Sequence, residues 1–584
     1  TDNIDAWTSA IKKKSATGRG TSKKIELTGV KKLRELILEL AVRGKLLPQD
    51  SNDEPASVLL DKVAVEKAQL IADNKIKKTK SLPVISEEEI PFILPNGWEF
   101  ERLGNCSIVF SGNSFKSGDF NSVSGVKVIK ITNAGVGKLI DTNEFLPDEF
   151  LEKYQSFHVY KNDIILALTR PYISDGLKVS LCPDSYHKSL LNQRVAAIRA
   201  FQYPEYLFLN LRSPYILNLY KNRFGGNGLQ PNLKMGDVTE LVIALPPLAE
   251  QHRIVAKVDE LMALCDQLEQ QTEQSLTAHQ TLVEVLLNAL FLSPVEGNAE
   301  ANVEEQFQEN WQRIADHFDV LFTTEASIDQ LKQTILQLAV MGKIVPQNPS
   351  DEPASKLLEK IAEEKAQLIK DKKIKKQKPL PAITDEEKPF GLPSGWEWVR
   401  LGNIGIGSTG KTPSTRNNEF FGGNIEFIGP GNITPQGQLL KADKFLTELG
   451  TGQSTSVVEG ALLMVCIGGS IGKSALASER ISFNQQINAM QTIEFLPKFL
   501  KHSVSTDIFY KSVLEKSTGS ATPIINRGKW EELLIPAAPL SEQHRIVAKV
   551  DELMALCDQL KTRLADAQIT QLHLADAVVE NALN

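Results

Sequence analysis

Residues 405–412 read Gly-Ile-Gly-Ser-Thr-Gly-Lys-Thr and satisfy the phosphate-loop pattern GxxxxGK[ST]. In a working loop of that kind a buried strand delivers the glycines and a helix leaves them, so that the first helical amides cradle phosphates. The flanks argue otherwise. Residues 400–403 are not a buried strand, Pro413 follows Thr412 at once, and residues 414–418 are poor helix material. Residues 468–474 are a near miss, with Ile467 where the first glycine belongs. Both are better read as polar glycine-rich surface loops, which suit close approach to a nucleic-acid backbone. No Asn/Asp-Pro-Pro-aromatic motif for methyl transfer to adenine is present, and no GxGxxG follows a strand. Nor does a carboxylate pair, a Cys/His couple or a Ser/His/Asp arrangement stand out. His252 and His544 sit at matching helix starts and read as capping and packing residues.

The chain does offer side chains that recognise nucleic acid. Arg, Lys, Asn and Gln reach base edges, while Ser, Thr and backbone amides bind phosphates. One turn-rich stretch carries Lys116, Asn133, Arg170, Tyr172, Arg194, Asn227, Gln230, Asn232 and Lys234. Another carries Lys411, Thr412, Ser414, Arg416, Asn432, Lys473, Asn484, Gln485, Gln486, Ser520, Asn526, Arg527 and Lys529. Any one of these is an ordinary surface polar residue, so the argument rests on the sets.

The elements that must position them are written twice. EQHRIVAKVDELMALCDQL occurs at residues 250–268 and again, letter for letter, at 542–560. ILELAVRGKLLPQ at 37–49 matches ILQLAVMGKIVPQ at 335–347, and DEPAS, EKAQLI, KIKK, GWE and LGN follow in both copies. The early parts are offset by 298 residues and the later ones by 292. A period that long is no solenoid. It implies two copies of one large unit related by a pseudo-two-fold axis. Residues 107–241 and 404–534, by contrast, share little. A constant frame therefore holds two divergent inserts that do similar work on different targets.

In the frame, Ile254, Val258, Leu261, Cys265 and Leu268 recur at steps of four and three, as do Ile546, Val550, Leu553, Cys557 and Leu560. Each predicts a helix of about 40 residues, roughly 60 Å long. Leu282 and Leu286, and Leu574 and Val578, are expected to resume the seam. The two-fold relation makes the pair antiparallel. The short helix predicted over 331–341 has its counterpart over 33–43, so the N-terminal helix is expected to dock beside the C-terminal one and close the frame circularly.

The predicted organisation is a polar segment (1–30), a helical region with a lysine-rich linker (31–95), a first recognition domain (96–248) and a long helix (249–293). A poorly patterned acidic connector (294–326), a second helical region (327–393), a second recognition domain (394–540) and a C-terminal long helix (541–584) complete it. Each recognition domain is α/β or α+β, with short strands near 126–131, 163–168 and 461–467, helices over 204–222 and 497–515, and a sheet order that the sequence leaves open.

Across 584 residues, 65 Lys and Arg face 72 Asp and Glu, a net charge of −7 that argues against a nucleic-acid partner. By segment the argument reverses. Residues 98–248 hold 16 basic and 14 acidic side chains, and residues 396–540 hold 13 and 12, whereas 249–330 hold 3 and 16. The acidic frame supplies more than the whole deficit. A 42% apolar, 23% charged composition excludes collagen-like and wholly disordered chains. The apolar runs are far shorter than the roughly 20 residues of a membrane span. Lys12–Lys14 lead into Ser, Thr and Gly, unlike a secretory signal. Five dispersed cysteines fit a reducing cytoplasm, not a disulfide framework or a CxxC zinc site.

Together these features resemble the specificity subunit of type I restriction–modification enzymes. The resemblance rests on the repeated EQHRIVAKVDEL, the ILQLAVMGKIVPQ and DEPAS segments, PSGWEWVRLGNI, GKTPS at 410–414 and NRGKWEELLIPAAPLSEQHRI at 526–546. It implies two target-recognition domains joined by long antiparallel helices, each domain reading one half of a split double-stranded DNA site. It also implies assembly with two modification subunits that bind S-adenosylmethionine and methylate adenine, and with restriction subunits that use ATP and Mg2+. The chain itself would carry no cofactor, no metal and no catalytic residue. Coiled-coil scaffolding of other proteins and nucleotide hydrolysis at residues 405–412 are the competing readings. The lysine runs at 75–80 and 372–378, with the helices before them, exceed what shorter family members have.

Overall fold

The computed structural model describes residues 4–13, 25–78, 80–223, 231–292, 303–519 and 522–583. They form two compact units, one of residues 1–274 with 567–584, the other of residues 275–566. The division falls inside both long helices, Leu248–Leu287 and Leu540–Leu583, so each helix contributes to both units. The C-terminal residues belong with the N-terminal helix, as circular closure requires.

The long helices run uninterrupted because neither contains Gly or Pro after its start. Gln251 Nε2 reaches back 3.0 Å to the Pro246 carbonyl, and Gln543 Nε2 reaches 2.9 Å to that of Ala538, fixing both starts. The seam lies where expected at first: Ile254, Val258, Cys265, Ile546, Val550, Leu553 and Cys557 are buried, with Leu261, Leu268 and Leu560 half-buried. Further along the expectation holds for Leu286 and Val578, which pack on the buried clusters, and fails for the other two. Leu282 and Leu574 are 57% and 49% exposed, while Val283, Leu287 and Ala575 are buried. The seam continues through Thr272, Leu276 and His279, at about 3.7 residues per step from Ile254 to Leu287. That is closer to the period of a straight helix than to the 3.5 of a supercoil.

In the first unit this seam meets the helix Thr28–Val42. Arg34 bridges Asp266 and Glu269 at 2.6 and 2.7 Å, and Leu33, Leu36 and Leu40 cluster with Leu572, Ala575, Val578 and Val579. The second unit repeats the arrangement with Glu325–Val340, where Lys332 pairs with Asp558, and Leu331 and Ile335 join Val283, Leu287, Leu553 and Cys557. From residue 303 onward the connector folds into helices that its composition does not predict. Val303–Asp316 and Phe318–Leu321 are helical, and Ile314, Leu321 and Phe322 are buried in the same cluster.

The repeated letters converge on one joint per unit. The indole N–H of Trp98 donates to Glu250 Oε2 at 3.0 Å, Gln49 Nε2 donates to Glu250 Oε1 at 3.3 Å, and Arg253 pairs with Asp53 at 2.5 Å. In the second unit Trp396, Gln347, Glu542, Arg545 and Asp351 make the same bonds at 3.0, 2.6 and 2.6 Å. PQ, DEPAS, GWE and EQHR thus recur together because they are parts of a single hydrogen-bonded core. Burial pushes both glutamates above the ordinary carboxylate range.

Both recognition domains have one topology. In the first, an antiparallel sheet runs Val179–Leu181, Ile164–Ala167, Val195–Ala200, Ser107–Ser111. In the second it runs Ser474–Leu476, Leu462–Val465, Ile487–Thr492, Gly405–Thr409. Each has a second four-stranded sheet with one parallel pair, Val126–Ile129 beside Ser189–Leu191 and Phe421–Ile428 beside Ile481–Phe483. A two-stranded base closes each domain, Glu99–Arg102 with Val242–Leu245 and Glu397–Arg400 with Leu534–Ala537. The single helices expected after Pro204 and Pro497 are each two. Pro214 has no N–H to donate, so one breaks into Pro204–Arg212 and Pro214–Arg223. Thr506 caps a fresh start in the other, giving Pro497–Val504 and Asp507–Lys516.

Candidate nucleic-acid interface

Three strands of the antiparallel sheet end at one edge in each domain: the C-termini of Ser107–Ser111 and Ile164–Ala167 and the N-terminus of Val195–Ala200. The loops leaving this edge form a rim laced by backbone hydrogen bonds. Gly112 N–H donates to Val195 O, Asn113 N–H to Leu191 O, Leu168 N–H to Arg194 O, Arg170 N–H to Pro231 O and Leu233 N–H to Leu168 O, all within 2.7–3.2 Å. The second domain repeats every one: Gly410 to Ile487, Lys411 to Phe483, Cys466 to Gln486, Gly468 to Pro523 and Ile525 to Cys466, at 2.8–3.0 Å. A Cβ at Gly112 would stand 2.2 Å from Asn192 O, and one at Gly410 would stand 1.9 Å from Asn484 O, so glycine is required at both crossings.

On this shared backbone the side chains differ. Asn113 stands where the second rim has Lys411, Thr169 where it has Ile467, Arg194 where it has Gln486, and Lys234 where it has Asn526. Asn192-Gln193 and Asn484-Gln485 are the shared pair. Arg170 occupies the place of Gly468, and both are left-handed, with φ of 50° and 80°. An arginine there gives up the ease of glycine to put a guanidinium on the rim. The second rim is cross-braced: Thr412 Oγ1 donates to Gln485 Oε1 at 2.7 Å, and Asn484 Oδ1 accepts from Gln486 N–H at 3.0 Å. Side chains held this way are oriented before any ligand arrives.

Of the candidates from sequence, Arg170, Arg194, Asn232 and Lys234 come together on the first rim, and Lys411, Thr412, Asn484, Gln485, Gln486 and Asn526 on the second. Lys116 lies on an adjoining first-domain loop and Tyr172 opens the short strand Tyr172–Ile173, while Ser414, Arg416 and Lys473 lie on loops of the second domain. Asn133 is a correction. It is fully buried, its amide donating to Ile140 O, Thr142 and Tyr186 while its oxygen accepts from Lys130 N–H. Asn432 holds the equivalent turn through Gly429 N–H and Lys441 O. The buried Asn133 amide has no donor left for a base, whereas the half-buried Asn432 keeps one N–H beyond its turn. Asn526 caps the helix Arg527–Glu531 by accepting from Lys529 N–H, and Arg527 pairs with Glu531. Asn227, Gln230 and Ser520 lie outside the described residues. Sequence reasoning missed Asn113, Thr169, Asn192 and Gln193, although carrying Lys411 back by 298 and Asn484–Gln485 back by 292 lands on three of the four.

The phosphate-loop reading does not survive. Residues 405–409 form an antiparallel strand, no helix follows, and the amides of Gly410 and Lys411 are taken by strand carbonyls. Burial pushes the Cys466 thiol beside the rim up to about 12, keeping it protonated and unreactive. His252 packs on Tyr203 with ring centroids 4.0 Å apart. Among the described residues no cluster of His, Cys, Asp and Glu could hold a metal, and no helix is long and apolar enough to cross a membrane.

The two recognition domains thus present two rims of one backbone design with different polar side chains. The family model for the type I restriction modification DNA specificity domain matches twice, over residues 95–278 and 393–571. The chain belongs to that family, the specificity subunits of type I restriction–modification systems. It is 40% identical over 606 residues to the EcoAI specificity subunit of Escherichia coli and 38% over 620 residues to the EcoEI subunit, spanning 100% of this chain and 99% of each relative. The MjaVIII subunit of Methanocaldococcus jannaschii is 30% identical over 33% of this chain and 46% of its own length. Among solved structures, a chain of a type I restriction–modification assembly is 21% identical with a TM-score of 0.47, covering 85% of this chain and 99% of its own. The HsdS subunit of Thermoanaerobacter tengcongensis, also 21% identical, gives 0.38 over 84% and 98%. The comparisons lend no support to the protein-scaffold alternative.

Proposed function

We propose that the chain reads a two-part site in double-stranded DNA, the rim around Asn113, Arg170 and Gln193–Arg194 taking one half and the rim around Lys411 and Gln485–Gln486 the other. The observation that carries this is the pairing of one backbone rim with two side-chain sets: a common scaffold presents different hydrogen-bond patterns, and base edges are told apart by such patterns. The chain directs chemistry performed elsewhere. Two modification subunits, one for each repeat of the frame, bring S-adenosylmethionine and methylate adenine, and restriction subunits bring ATP and Mg2+ for cleavage. This chain binds no cofactor, and with its five buried free thiols it works in the reducing cytoplasm. Replacing residues 107–241 with the corresponding stretch of another specificity subunit tests the division of labour. In the assembled enzyme the exchange should alter one half-site and leave the other intact, and linked changes in both halves would overturn it.

A further inference from the structure

The lysine runs lie outside the rims, yet each is held against its recognition domain from both sides. Upstream, Lys67 Nζ donates to Gly104 O at 2.6 Å and Lys365 Nζ to Gly402 O at 2.7 Å, pinning the helices Ala56–Ala72 and Ala354–Lys370. Downstream, the buried Arg102 and Arg400 clamp the chain. Arg400 donates to Pro381 O, Ala382 O and Glu532 O and grips Glu387 with two further bonds of 3.0 and 2.7 Å, and Arg102 makes the matching five. Between these anchors stand Lys75, Lys77, Lys78 and Lys80 in one unit and Lys372, Lys373, Lys375, Lys376 and Lys378 in the other, all exposed. Their ion pairs are Lys75 with Asp73 and Lys373 with Asp371. A helix C-terminus favours cations only within its last turn, and both runs extend well past it.

Like charges fixed at both ends, with one paired acid for each run, repel one another, a cost that a polyanion would relieve. Their place selects which one. Leu380, just beyond the second run, packs at Gly402 beside Glu531, the last residue of the helix that Asn526 caps at the rim. Leu82 packs at Gly104 beside Thr239, the last residue of the helix after Lys234. That helix is five residues long, about 7 Å.

We infer that the two lysine runs grip the phosphate backbone of the duplex flanking each half-site, adding affinity without sequence preference. The inference rests on the DNA-reading function above. The acids that face the runs, Asp73 and Asp371, are displaced by phosphates on binding.

The test uses the assembled modification complex, with the second run changed to Lys372→Gln, Lys373→Gln, Lys375→Gln, Lys376→Gln and Lys378→Gln, then the first run likewise, and duplex binding titrated against salt. Neutralising both runs should flatten the slope of log affinity against log salt by about 0.9 for each phosphate left without its lysine, a total of about 2 or more. Affinity for the target and for an unrelated duplex should fall by the same factor, roughly tenfold or more near 0.15 M salt. Arginine at the same positions should restore the slope, and the methylated sequence should not change. An unaltered slope overturns the inference, as does loss of the modification subunits from the purified complex, which would place an acidic protein surface on the runs. If wild-type complex fails to distinguish its target from unrelated DNA, it is the reading function that fails. If wild type discriminates and the variants keep its slope, the lysine inference alone fails.

Discussion

The joint and the rim are both built twice, in opposite ways. At the joint, side chains are fixed: Trp98, Glu250, Gln49, Arg253 and Asp53 have identical counterparts in the second unit, making the same bonds. At the rim the backbone bonds are fixed, and most of the side chains vary. A buried polar network tolerates no substitution that leaves a donor or acceptor unpaired. A rim laced together mainly through its backbone is free to change what it presents. The contrast separates what holds the molecule from what distinguishes its targets.

The comparison is broken most severely at the joint. Trp98→Ala and Trp396→Ala should each destabilise the unit that holds them by about 3–5 kcal/mol, by similar amounts, since each removes a buried indole and strands a glutamate. Urea unfolding of both variants checks this, and a large inequality would mean that the joints are not equivalent. At the rim, Gln485→Ala should cost about 1–3 kcal/mol of discrimination at one base pair of one half-site, seen in competition binding of the assembled complex, with no change at the other. Arg170→Gly sharpens the contrast, because the two effects oppose. Relief of the left-handed backbone should stabilise the fold by about 1 kcal/mol or leave it unchanged, while recognition of the first half-site weakens.

The smallest expected effect is on acid stability. Arg102 holds Glu89 down to about 2, and Arg400 depresses Glu387 likewise. Since the unfolded glutamate takes up its proton near 4.5, the clamp's contribution is complete above that pH and lost as pH falls toward 2. Glu250 and Glu542 act with the opposite sign: their raised values favour the folded state at low pH and lose that contribution as pH rises through the folded value. Glu89→Gln should therefore flatten the acid limb of a stability profile between pH 2 and 4.5, slightly, because Glu89 is partly exposed.

The frame was legible because exact repetition identifies parts that must fit together. The seam was legible only while apolar, since Thr272 and His279 hid its path and the 3.5 period carried Leu282 to the wrong face. The recognition domains share a topology that their sequences conceal. Short strands such as Leu462–Val465 are buried on both faces, so any small apolar residue serves and no alternation marks them. Asn133 is the exception among the candidates because asparagine serves a buried turn as readily as a base. Asn113 and Gln193 escaped notice because only the folded edge sets them beside Arg170.

The central claim is that each rim specifies its own half of one target. Mapping every methylated adenine left by the assembled enzyme on genomic DNA, for wild type and for a Gln485→Ala, Gln486→Ala variant, tests it directly. The account predicts a two-part motif with an unread gap, in which the variant relaxes bases on one side of the gap alone. An undivided motif, or relaxation on both sides, would contradict it.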